Sequence, residues 1–125
     1  MLKSLIFIGI GGAAGSILRF LVSHFTKKFW NGEFPLATFL VNLSGCLLIG
    51  LFIGVMLKWQ NLGTDFRMLL IVGFCGGYTT FSAFALENFD LLNSGKISVT
   101  LIYALASVIL GIVCVWAGMA LSKLI

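Results

Sequence analysis

The chain has 125 residues, of which 60% are hydrophobic and only 10% charged, and its mean hydropathy is +1.13. Soluble domains are roughly a quarter charged, so these figures exclude an ordinary soluble fold and leave one compact membrane domain over residues 1–125. The formal charge of +4 does not indicate nucleic acid, because the basic residues stand singly, or as Lys27 and Lys28, beside expected membrane boundaries where snorkelling and headgroup contacts account for them.

A bilayer core of about 30 Å takes about 20 residues of helix, and four stretches qualify: about 2–22, 36–57, 68–92 and 97–121. The expected architecture is therefore an all-α membrane protein with four transmembrane helices. In the first span, Lys3 before an apolar run and the small residues Gly12 to Gly15 resemble a secretory signal peptide. The run nevertheless continues to Val22 with Arg19 inside it, which favours a membrane span. Residues 23–35 then mix His24, Lys27, Lys28, Trp30 and Glu33, a composition suited to the membrane interface, and Pro35 opens the second span without interrupting it.

Within the second span, Asn42 follows Thr38 by one turn and precedes Ser44. A carboxamide at membrane depth serves either as interhelical glue, worth about 1 kcal/mol, or as a donor to a passing anion. The third span holds Gly73, Gly76, Gly77, Thr79 and Thr80, too much glycine and threonine for an uninterrupted helix, so a break near mid-span is expected. Freed carbonyls and amides persist at that depth only when buried in protein, lining a cavity or coordinating an ion. Phe81 and Phe84 share a helical face, and spacing alone assigns them to lipid; Glu87 and Asp90, also three apart, read as a solvated or hydrogen-bonded helix end. In the fourth span Tyr103 and Ser107 lie one turn apart and, like Arg19, either satisfy a neighbouring helix or line a polar path. Cys46, Cys75 and Cys114 sit alone in separate apolar runs and read as small apolar residues, not metal ligands.

Orientation follows the lysine and arginine bias, and here Lys3, Lys58, Arg67 and Lys123 on one side face Lys27, Lys28 and Lys96 on the other. So small a bias lets the chain insert both ways, which leads to an antiparallel homodimer. Gly11 with Gly15, Gly50 with Gly54 and Gly73 with Gly77 are each four apart on one helix face and mark close helix contacts. Four helices of this length leave little room for a pathway within one chain, which also points to transport between chains.

Taken together, the segments Gly11-Gly12-Ala13-Ala14-Gly15-Ser16-Ile17-Leu18-Arg19, Pro35-Leu36-Ala37-Thr38 with Asn42 and Gly45, and Gly73-Phe74-Cys75-Gly76-Gly77-Tyr78-Thr79-Thr80-Phe81-Ser82 resemble the small dual-topology fluoride channels of the CrcB or Fluc family. The resemblance covers essentially the whole chain. It implies a passive fluoride channel in a bacterial plasma or inner membrane, built as an antiparallel dimer with paired pathways formed by both chains and surrounded by lipid. It further implies a structural sodium ion held by the main-chain carbonyls of Gly76 and Thr79, and a pathway lined by Phe81 and Phe84 with Asn42, Ser82 and Tyr103 nearby and Arg19 at a vestibule; Ser107, one turn from Tyr103, is taken with that pathway.

The sequence departs from the family pattern at Ala83 and Ala85, where hydroxyls are frequent, and at Leu40 on the face leading to Asn42. Those departures leave open a leaner pore or one subunit of a heterodimeric channel. A proton-coupled exporter of the small multidrug type has less support, because the first span carries Arg19 and no acid. Neither a phosphate-cradling loop nor a nucleophile with its base is visible, so the chain is not read as an enzyme.

Overall fold

The computed structural model describes residues 1–125 and is entirely helical. Helix α1 spans Leu2–Phe29, α2 Leu36–Lys58, α3 residues 63–78, α4 Phe81–Asn93 and α5 Ile97–Ser122. Four stretches, Leu2–Phe29, Leu36–Lys58, Gly63–Asn93 and Ile97–Ser122, are long and apolar enough to cross a membrane. The third of them contains the expected break, which separates α3 from α4 at Thr79 and Thr80.

Each helix boundary has a local cause. The 28 residues of α1 would reach about 42 Å at 1.5 Å per residue, more than the hydrocarbon core. The helix therefore runs past the apolar span that ends at Val22 and finishes with Lys27 and Lys28 in its last turn, where cations complement the helix dipole. Helix α3 begins with a short α-helical stretch, Gly63–Phe66, continues as a nine-residue π-helix, Arg67–Cys75, and closes with the turn Gly76–Tyr78. Helix α4 ends in a Schellman motif: Gly95 adopts φ +72°, its N–H donates to the Leu92 carbonyl at 3.0 Å, and the Lys96 N–H donates to the Leu91 carbonyl at 2.9 Å. That closure turns the chain directly into α5.

Packing is organised as two glycine-mediated crossings, α1 on α3 and α2 on α5. A Cβ on Gly11 would overlap the Leu69 carbonyl, one on Gly15 the Phe74 carbonyl, and one on Gly77 the Gly12 carbonyl. In the second crossing, Gly50 lies against the Val115 carbonyl, Gly118 against the Leu47 carbonyl, and Gly54 against the Ser122 side chain. Backbones thus touch directly, the arrangement that supplies dispersion contact where lipid removes any hydrophobic drive between helices. Only 17 of 125 residues are buried, and a large share of the apolar side chains faces outward. Two exposed ion pairs, Lys3 with Asp65 and Lys96 with Glu33, link helix ends on opposite sides of the bundle.

This geometry separates two kinds of glycine. Gly77→Val forces a side chain into the α1 backbone and should cost at least the 1–3 kcal/mol typical of overpacking, whereas Gly9, with nothing within 4 Å of its would-be Cβ, should accept alanine without loss. Thermal unfolding in detergent, followed by size-exclusion chromatography, reads both; equal midpoints for the two variants would show that the crossing tolerates a side chain.

Candidate functional site

The break in the third span leaves main-chain groups without helical partners, and neighbouring side chains supply most of the replacements. Thr79 is extended (φ −78°, ψ 160°), as is Thr80 (φ −151°, ψ 117°). The Asn42 carboxamide pairs with Thr80 at both ends: its Nδ2 donates to the Thr80 carbonyl at 3.1 Å, and its Oδ1 accepts from the Thr80 N–H at 2.9 Å. Arg19 donates from Nη1 to the Thr79 carbonyl at 3.2 Å, and Ser16 donates to the Gly77 carbonyl at 3.4 Å. The threonines also serve the helix ends beside them. Thr79 Oγ1 donates to the Cys75 carbonyl at 2.8 Å, while Thr80 Oγ1 caps α4 by accepting from the Ala83 N–H at 3.2 Å.

Two recesses flank this break, and Thr80 lines both. The first, a largely apolar cavity of about 510 Å³, is lined by Asn42, Gly76, Thr79, Phe81, Phe84 and Ser107, among others. Its polar groups are few. The Ser107 hydroxyl is buried without a partner, and Asn42, with one Nδ2 hydrogen committed to Thr80, keeps a second N–H. Phe81 is 79% exposed at the rim, and its ring lies 5.7 Å from that of Phe84. The second recess, a polar cleft of about 470 Å³, is lined by Arg19, Lys27, Thr38, Ser82 and Glu87 as well as Ser16.

Of the residues expected at the site, Asn42, Phe81, Phe84, Ser107, Gly76 and Thr79 therefore share one cavity, whereas Arg19 and Ser82 line the other recess. Tyr103 lines neither. It is fully buried, 5.0 Å from the Phe84 ring and 5.3 Å from the Phe34 ring, and its hydroxyl donates to Glu87 at 2.7 Å. Thr38 donates to the other Glu87 oxygen at 2.6 Å. Glu87 is thus an internal acceptor joining α2, α4 and α5, while Asp90 three residues later is exposed. Spacing had paired the two acids as one helix end; the sequence signal for their difference was Thr38, one turn before Asn42 on the same face of α2.

The donor set at the break suits a hard cation only through oxygen. In an unbroken helix the Thr80 N–H would close onto the Gly76 carbonyl, but it is diverted to Asn42, so that carbonyl loses its helical donor beside the cavity. The Thr79 carbonyl accepts one hydrogen bond from Arg19 and retains a second lone pair. Two such carbonyls fit a sodium ion in chemistry, and they cover only part of the coordination a hard cation takes.

Comparison with known proteins places the sequence in a family. The profile of the family described as "CrcB-like protein, Camphor Resistance (CrcB)" matches residues 6–119. A protein of Flavobacterium psychrophilum named a fluoride-specific ion channel is 43% identical over 122 residues, covering 98% of each chain. Proteins of the same name from Azobacteroides pseudotrichonymphae and Pseudomonas fluorescens are 43% and 42% identical, over 98% and 99% of this chain and 98% and 100% of theirs. With nearly its whole length matched by the profile and by these relatives, the chain belongs to the CrcB-like family of multi-pass membrane proteins.

Proposed function

We propose that this protein is a subunit of a fluoride-selective channel that lowers cytoplasmic fluoride by letting the ion leave passively through the bacterial cell membrane. The observation that carries the reading is full-length similarity, at 40–43% identity, to proteins named fluoride-specific ion channels. The cavity supplies a physical route. An unpaired ion in a low-dielectric core costs tens of kcal/mol, so fluoride must exchange water for donors or positive ring edges as it enters.

Here those replacements are the free N–H of Asn42, the unpartnered hydroxyl of Ser107 and the edges of Phe81 and Phe84, each a weak ligand. Weak, distributed ligands let an ion leave as readily as it arrives. Asn42 is fit for this task because Thr80 locks its carboxamide in place; the glue and donor roles are thus compatible in one side chain. Ser82, Thr80 and Arg19 make the polar cleft a vestibule in which positive charge gathers anions. Tyr103 acts from behind, fixing Phe84 through ring contact and Glu87 through its hydroxyl.

The cavity opens on one face of the chain, and Phe81 projects from it. A second copy in the opposite orientation, permitted by the near-balance of basic residues, would complete the lining and bring its own Gly76 and Thr79 carbonyls to a shared axis. A sodium ion there would neutralise the converging carbonyls and serve structure alone.

Fluoride efflux from liposomes holding the purified protein, read by electrode with a chloride control and a potassium ionophore, should show fast fluoride loss without chloride loss. Silence from well-folded protein would instead identify an obligate heteromer, a reading that the alanines at 83 and 85 keep in view. Asn42→Ala and Phe81→Ala should each slow fluoride efflux by about ten-fold or more, the scale of one lost interaction with a charged group. Unchanged flux in both would remove them from the pathway. Replacing sodium by N-methylglucamine should lower the thermal midpoint of the dimer, because an ion bound only by the assembled state stabilises it by mass action; an unchanged midpoint would remove sodium from the assembly.

A further inference from the structure

The C-terminal ends of α2 and α5 lie on the same side of the bundle and border a cleft of about 500 Å³ that shares no lining residue with the recesses at the break. Its walls are Leu57, Lys58, Trp116, Met119 and Lys123, and Gly54 contributes to its lining. Gly54 is also the position at which α2 meets the side chain of Ser122, the last residue of α5, so the recess lies where α5 ends against the last turn of α2. We propose that this cleft binds an anionic phospholipid of the surrounding bilayer.

Three features select that occupant. Lys58 and Lys123 both line the recess, and neither forms an ion pair, since the two ion pairs of the chain take Lys3 and Lys96. Two uncompensated ammonium groups at the end of membrane-spanning helices attract a phosphate headgroup. Leu57, next to Lys58, and Met119, one turn before Lys123, add apolar side chains to the wall, as an acyl chain requires. Trp116, 71% exposed, lines the same recess about two turns before Lys123 on α5, where its ring adds apolar surface for an acyl chain. The volume lies within the range of ordinary ligand sites, and the cleft is open at its side, as a bilayer lipid needs. A lipid seated there would bridge the ends of α2 and α5, the pair that holds Asn42 and Ser107 on either side of the cavity.

The test is native mass spectrometry of the purified protein equilibrated with phosphatidylglycerol or phosphatidylcholine at matched concentration. Phosphatidylglycerol should be retained with a preference of roughly thirty-fold, the product expected from two lysines near an anionic headgroup. The double variant K58Q/K123Q should lose that preference, and each single variant should reduce it about five-fold, which keeps the test usable if the double variant folds poorly. The charge-matched control K3Q/K96Q should keep it. Inorganic phosphate added in excess should leave the lipid bound, because the acyl chains contribute to retention. Equal retention of the two lipids, retention unaffected by K58Q/K123Q, loss with K3Q/K96Q, or displacement by phosphate would each overturn the proposal. Absence of any lipid from the assembled dimer, as expected if a second copy covered the cleft, would overturn it too.

Discussion

Main-chain hydrogen bonding at the broken third span is the constraint on which the rest of this molecule depends. A helix crossing a membrane satisfies its own backbone, but two extended residues at Thr79 and Thr80 interrupt that pattern where no bulk water is at hand. Asn42 restores one donor and one acceptor at a single residue, Arg19 and Ser16 each serve another carbonyl, and the threonine hydroxyls close the flanking helix ends. The break is consequently a joint held by α1 and α2, and the same contacts decide which polar groups remain free to meet an ion.

Those side chains can reach the break only because the helices that carry them come very close. Glycines let the α1 backbone rest on α3 and the α2 backbone rest on α5, with neighbouring carbonyls where a Cβ would otherwise stand. Close approach shortens the reach from Ser16 and Arg19 to the carbonyls of residues 77 and 79. The cost is a thin core: Val41 and Tyr103 are the large side chains that are fully buried, and the chain turns much apolar surface outward. One chain alone thus has the elements of a site and an open wall beside them.

How much of this was legible beforehand depended on whether a feature is local. Four apolar runs and a glycine- and threonine-rich interruption are properties of contiguous residues, and both the spans and the break follow from them. The glycine pairs likewise marked the crossings, because four-residue spacing places them on one face. The roles of Asn42 and Glu87 were hidden, since each is defined by residues 38 and 49 positions away in sequence that meet only after the helices pack. Spacing paired Glu87 with Asp90, yet Glu87 turns inward to Thr38 and Tyr103, whose hydroxyls satisfy a carboxylate that would be costly unpaired. The π-helix of α3 also lacked a sequence signature: after Arg67, residues 68–75 are an apolar run that suits an α-helix equally well.

The alanines that depart from the family pattern acquire a different weight in this light. At residue 83 the chain contributes its backbone, through the N–H bound to Thr80 Oγ1, and Thr80 Oγ1 in turn lies 3.2 Å from Ser82 Oγ. Hydroxyls are therefore concentrated at residues 80 and 82, where the polar cleft meets the break, instead of continuing along α4. Ala85 is exposed, and no hydroxyl at that position is needed to close a hydrogen bond within the chain. An ion passing between the two recesses would meet those two hydroxyls first and then the ring edges of Phe81 and Phe84 with the Asn42 amide. Thr80 is the residue common to both recesses, so on the proposed route the handover between them would fall at that residue and not along a continuous polar track.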